Sequence, residues 1–245
     1  MKEEKLEYNK SYIDAVDSLS AVNHRILMSK EGDKVTIKAN NLPSNFCYIL
    51  QAPTSFFGMP VDKIGLVDFT RFKKFYEAMS TKTVSANLSL NIDDDGSAVD
   101  MLFKNETRSD TLTLRLGDTS LPTFDASFNE LAEHQQDVVS EFDEETIDQL
   151  QRKISLIGAD YIDVIANDNV LNFCIYTMRS ADRADYPVFL SQPSTKSFKL
   201  KFTAETLNLL PKGKYKIEID ADGCLYMKQI REDEISVEIM LLAEE

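Results

Sequence analysis

Phe202-Thr-Ala-Glu-Thr-Leu-Asn-Leu-Leu-Pro-Lys-Gly-Lys-Tyr-Lys-Ile-Glu-Ile219 is the stretch on which the reading turns. An alternating strand, Phe198–Thr203, runs into a short helix, Ala204–Leu210. The turn Pro211-x-Gly213-x-Tyr215-Lys216 follows, and Tyr215–Ile219 alternates again as a strand. Beyond it lie an acidic turn, Asp220-Ala-Asp222-Gly223, the strand Cys224–Gln229 and a last strand, Ile235–Leu242.

The first half of the chain follows the same plan. Ile64–Thr70 runs into a helix, Arg71–Met79. Val84–Ile92, the turn Asp93-Asp94-Asp95-Gly96, Ala98–Lys104 and Thr111–Leu116 then read as strand, acidic turn, strand and strand. Upstream, each half is expected to begin with an amphipathic helix. Tyr12, Ile13, Val16 and Leu19 fall on one face of the first; Ile147, Leu150, Ile154 and Ile157 do so in the second, behind Asp143-Glu144-Glu145 at its N-terminus. The helices are followed by His24–Ser29, Lys34–Asn40 and Phe46–Gln51 in one half, and by Tyr161–Ala166 and Val170–Met178 in the other. The plan occurs twice, so the expected fold class is α+β, with a domain at 1–117, a connecting segment at 118–138 and a second domain at 139–245.

The net charge of −14 is unevenly spread. Residues 1–117 carry 15 basic against 16 acidic side chains, and residues 139–245 carry 12 against 20. The connecting segment has five acids, Asp118, Asp125, Glu130, Glu133 and Asp137, no Lys or Arg, and three apolar studs, Leu121, Phe124 and Phe128. The cations gather at the expected helices. Lys10 precedes the first. Arg71, Lys73 and Lys74 oppose Phe69, Phe72, Phe75 and Met79 in the second. Arg152 and Lys153 oppose the apolar stripe of the third, and Lys212 and Lys214 follow the fourth. Helices that line one hole and face phosphates would carry this chemistry.

Catalytic signatures are missing from the sequence. It has two histidines, His24 and His134, neither within a nucleophile motif, and no phosphate-binding glycine loop. The acids of Asp93–Asp95 are contiguous, whereas an EF-hand alternates its ligands, so a hairpin turn is expected there. Cys47, Cys174 and Cys224 lie far apart and form no metal or disulfide pattern; they read as small core residues in a reducing compartment. No catalytic residue, metal or cofactor is expected. A charged N-terminus without an apolar core and the lack of a long apolar run point to a cytoplasmic protein, or a nuclear one in a eukaryote, with no membrane partner.

In its layout, and most strongly in Phe202–Ile219 and the short acidic tail Glu244-Glu245, the chain resembles the DNA sliding clamp family, which includes proliferating-cell nuclear antigen and the clamps of T-even-like phages. The resemblance implies a two-domain clamp whose copies form a pseudo-sixfold ring as a homotrimer. It implies that the ring encircles double-stranded DNA without sequence choice, is opened by a clamp-loader ATPase and tethers a DNA polymerase. The cationic helices would line the hole. Subunits would meet at two edge strands, Thr111–Leu116 and Asn169–Met178. Partner peptides would dock at Leu42, Pro43, Phe124, Phe128, Leu241 and Leu242. The diverged linker and tail favour a viral relative. The alternatives are a monomeric DNA-polymerase accessory protein of the same fold that binds DNA by one basic face, and a metal-dependent hydrolase built on the carboxylates.

Overall fold

The computed structural model describes residues 2–8, 13, 15–16, 25–40, 46–81, 85–105, 108–119 and 136–244. Contacts divide the chain into two compact units, Met1–Ala39 with Tyr48–Ala126 and Asn40–Cys47 with Ser127–Glu245.

The first unit contains β1 (Lys2–Tyr8), β2 (Ile26–Glu31), β3 (Lys34–Asn40), β4 (Phe46–Pro53), β5 (Phe57–Gly58), β6 (Lys63–Leu66), α1 (Phe69–Met79), β7 (Asn87–Ile92), β8 (Ala98–Asn105) and β9 (Arg108–Arg115), except that Asn40 of β3 and Phe46 and Cys47 of β4 fall to the second. One sheet has the order β5-β1-β7-β8-β9, and β4-β3-β2-β6 are neighbours in another. Between β1 and β2, residues 13, 15 and 16 are helical, and Ile13, Ala15 and Val16 are buried.

The second unit contains β10 (Val138–Phe142), α2 (Glu144–Ile157), β11 (Tyr161–Asn167), β12 (Val170–Tyr176), β13 (Arg183–Phe189), β14 (Phe198–Thr203), α3 (Ala204–Asn208), β15 (Lys214–Asp220), β16 (Cys224–Ile230) and β17 (Ser236–Leu242). Its neighbour orders are β10-β15-β16-β17 and β13-β12-β11-β14. These are the orders of the first unit with β10 in the place of β1, β15–β17 in that of β7–β9, and β13, β12, β11 and β14 in those of β4, β3, β2 and β6. The fold is α+β, and the same helix-and-strand plan is built twice.

Local chemistry explains the helices. Asp68 caps α1, its Oδ1 accepting from the Arg71 N–H at 2.9 Å. Asp143 caps α2 through the Thr146 N–H at 2.8 Å, and Gly158, at φ 61°, ends it in the left-handed turn that glycine adopts without strain. The apolar stripe of α2 buries Ile147, Leu150 and Ile154. In the first unit Phe72 and Phe75 both meet Phe103 of β8 edge-on, at centroid distances of 5.4 and 5.7 Å.

The structure corrects three expectations. Each copy begins with a strand rather than a helix. β1 buries only Leu6, so it reads as a charged segment, and β10 is too short to stand out in sequence. The strand β13 was not expected at all, because none of its residues is fully buried. Finally, Asn169–Met178 is not an edge. β12 is flanked by β11 and β13, and the edge of that sheet is β13.

Candidate nucleic-acid interface

Residues Pro211–Tyr215 form a rigid corner that sets the bases of two candidate cations. Tyr215 is fully buried and its hydroxyl donates to the Pro211 carbonyl at 2.6 Å. Gly213 has φ 147°, and a Cβ there would stand 2.4 Å from Nε2 of Gln229. That amide donates to the Lys212 carbonyl at 2.8 Å. Gln151 of α2 reaches across to donate to the Leu207 and Leu210 carbonyls at 3.1 and 2.9 Å, which fixes α2 against α3 and its following turn.

On this frame the candidate cations of the second unit lie next to acids. Asp148 is shared by Arg152 at 3.9 Å and Lys212 at 3.4 Å, and Lys214 pairs with Glu141 at 2.5 Å. Lys153 instead lies over the ring of Tyr186 on β13, 5.8 Å from its centroid. In the first unit, Arg71 sits 3.6 Å from its cap, Asp68; Lys73 is half-buried; and Lys74 is exposed with no ion pair among the described residues. Lys10 lies outside the described residues. Exposed pairs of this kind contribute roughly 0–1 kcal/mol each, so a phosphate can compete for the same cations.

Of the partner-peptide candidates, Leu42, Pro43, Phe124 and Phe128 lie outside the described residues. Leu241 and Leu242 point to opposite faces of β17: Leu241 is wholly buried, while Leu242 is 40% exposed. A docking peptide could touch only Leu242 of the two.

Sequence reading passed over two features. The first is Asp137, where the connecting segment meets β10. It is buried, and its carboxylate accepts from Thr195 Oγ1 (2.6 Å), the Ala221 N–H (3.0 Å) and Lys196 Nζ (3.1 Å). The Thr195 hydroxyl first, then the Ala221 amide and Lys196, hold this carboxyl below the usual carboxylate range. The second is the edge strand β13. Its one sequence signal is Pro187, which a strand accommodates at an edge. Two exposed apolar side chains bracket it, Met178 (74%) and Phe189 (79%).

The three cysteines are buried and free. Burial raises the Cys47 and Cys174 thiols and pushes Cys224 up to about 11, away from the reactive thiolate. In the Asp93–Gly96 turn the Asp93 carboxylate accepts from the N–H groups of Asp95 (3.1 Å) and Ser97 (2.8 Å), so it serves the hairpin. His24 and His134 lie outside the described residues. Among these residues no helix is long and apolar enough to cross a membrane.

No family profile matches the chain, and no curated protein sequence does. Solved structures do. The chain is similar to the proliferating cellular nuclear antigen of Entamoeba histolytica, with a TM-score of 0.71 at 14% identity over 99% of this chain and 98% of that one. A PCNA2–PCNA3 complex from Sulfolobus tokodaii gives 0.71 at 12% identity over 99% of each. The PCNA of A. fulgidus, bound to the C-terminal region of FEN-1, matches over 100% and 99% of the two chains at 13% identity and a TM-score of 0.70. What is shared at such identity is the fold, and it is shared end to end. None of these three is viral, so the likeness lends no support to the expected viral origin.

Proposed function

We propose that the chain is a DNA sliding clamp, a non-enzymatic processivity factor. Three copies close head to tail into a ring around duplex DNA, and the ring tethers a replicative polymerase and other DNA-acting proteins. The observation that carries this reading is the doubled fold, matched over its whole length to chains whose own length it covers almost completely. On this reading residues 1–117 and 139–245 are the two clamp domains, and 118–138 connects them. Arg71, Lys74, Arg152 and Lys212 face the DNA loosely, with Lys10, Lys73, Lys153 and Lys214 beside them. Leu242, together with Leu42, Pro43, Phe124 and Phe128, receives partner peptides, as the FEN-1 segment bound to the A. fulgidus protein suggests. A loader ATPase opens the ring, and the protein works where DNA is replicated, in the cytoplasm or in a nucleus.

The ring closes on edge strands. β9 and β13 each end a sheet, with no further strand beside them among the described residues. An open edge invites a second strand, and a closed ring removes it. The test is retention on DNA. Protein on nicked circular DNA is expected to survive gel filtration at high salt and to be lost once the circle is cut. Binding that falls steeply with salt on circles and linear DNA alike would overturn the reading in favour of a monomer that touches DNA by one face.

A further inference from the structure

The backbone of β13 shows which residues can meet a second copy. The Leu190 N–H donates to the Asn169 carbonyl at 2.7 Å, so residues of its parity (Ala184, Tyr186 and Val188) direct their backbone groups at β12. Arg183, Asp185, Pro187 and Phe189 therefore turn theirs outward. The missing N–H of Pro187 faces the open edge. On β9, the Leu116 N–H donates to the Val99 carbonyl at 3.0 Å, so Leu112 and Leu114 face β8 while Thr111, Thr113 and Arg115 face outward. On both edges the outward residues are also the ones with exposed side chains. For L-residues that coincidence fixes direction. Two such strands join into one sheet, exposed faces on the same side, only when they run antiparallel.

Few antiparallel registers are available, and charge separates them. With Arg115 opposite Arg183, two cations stand directly across the ladder, which is unfavourable. With Arg115 opposite Pro187, Asp185 falls opposite Gly117, beside the acid Asp118, and Arg115 gains no counter-charge. With Arg183 opposite Thr113, only two outward pairs of the described strands form. The remaining register sets Arg115 opposite Asp185, Thr113 opposite Pro187 and Thr111 opposite the exposed ring of Phe189. It joins the existing Arg115–Asp100 pair (3.2 Å) to the existing Arg183–Asp185 pair (3.1 Å) in one row of alternating charge, Asp100, Arg115, Asp185 and Arg183. It also brings Arg183 beyond the end of β9. There a cavity of about 580 Å³ opens, lined by three acids, Asp62, Asp93 and Asp118, two cations, Lys63 and Arg115, and an apolar wall that includes Val61 and Leu116. The acids exceed the cations there by one, and the apolar wall suits the exposed Met178 at the head of the loop before β13.

We infer that β9 of one copy takes β13 of a second copy in this single register, selected by Arg115 against Asp185. The inference rests on the ring reading and adds to it the residues that set the register. In this arrangement Pro187 removes one donor from the ladder, so Arg115–Asp185 carries much of the choice between registers.

Sedimentation of the full chain over a range of concentrations tests it, with melting curves to check that each variant folds. Arg115→Glu and Asp185→Lys alone are each expected to weaken assembly about tenfold, and the double exchange to return it to within about threefold of the parent. Thr113→Lys, which faces Pro187 in this register and Asp185 in the neighbouring one, is expected to leave assembly within about threefold. Single variants that assemble like the parent, a double exchange that fails to recover, or a Thr113→Lys that tightens the assembly would each overturn the register while leaving the ring standing. A parent that stays monomeric throughout would remove the ring itself, and the register with it.

Discussion

Gly213 and Asp137 are the two positions where one residue holds most of a local structure. At Gly213 the backbone (φ 147°) and the fixed amide of Gln229 both oppose a side chain. Gly213→Ala is expected to cost about 2 kcal/mol and to lower the melting temperature measurably. Asp137 joins the entry of β10 to the loop before β14 and to the β15–β16 hairpin. Removing this buried, charge-paired carboxylate in Asp137→Ala should cost about 3 kcal/mol in urea denaturation. The pH dependence has a definite sign. The folded carboxyl titrates below its unfolded value of about 4, so its contribution is complete above that pH and is lost as pH falls through the lowered native value. Asp137→Asn should flatten the acid limb of the stability profile; an unchanged limb would count against the role. Gly213 was legible in sequence because a Pro-x-Gly turn ahead of an alternating strand has few other readings. Asp137 was not, since it is one of five acids in a cation-free segment and only the fold buries it.

At the scale of elements, periodicity was readable where a buried face runs through a longer segment, and it was missed in the five residues of β10 although their alternate side chains are buried. Lys34–Asn40 and Phe198–Thr203 are strands over the expected residues, and the stripe of α2 buries three of its four expected members, Ile147, Leu150 and Ile154. Where burial is partial the pattern fades. The alternating half-burial of β13 gave no such signal, although Pro187 marks it as an edge. That proline carries its own prediction. Pro187→Ala leaves the β12–β13 ladder intact, because the residue turns its backbone outward, and it supplies a donor to an incoming strand. Assembly should tighten several-fold by sedimentation, as about one added hydrogen bond implies; no change would place Pro187 outside the interface. The candidate cations were legible as residues, but their neutralisation was not. Asp148 serves both Arg152 and Lys212, a meeting of α2 with the turn after α3 that sequence spacing does not reveal.

For the whole molecule, a net charge of −14 and a hold on DNA are reconciled when topology, rather than contact, retains the duplex. Charge reversal at Lys74 and Arg152 together should then shorten residence on closed circles modestly, while the variants still assemble and still slide off cut ends; complete loss of retention would mean that contact does the holding. The central claim is the closed ring, and the mass of the native assembly tests it most directly. Light scattering of the purified chain across a wide concentration range is expected to approach three times 27.8 kDa at the high end. A mass that stays at 27.8 kDa at every concentration, with or without DNA, would contradict it.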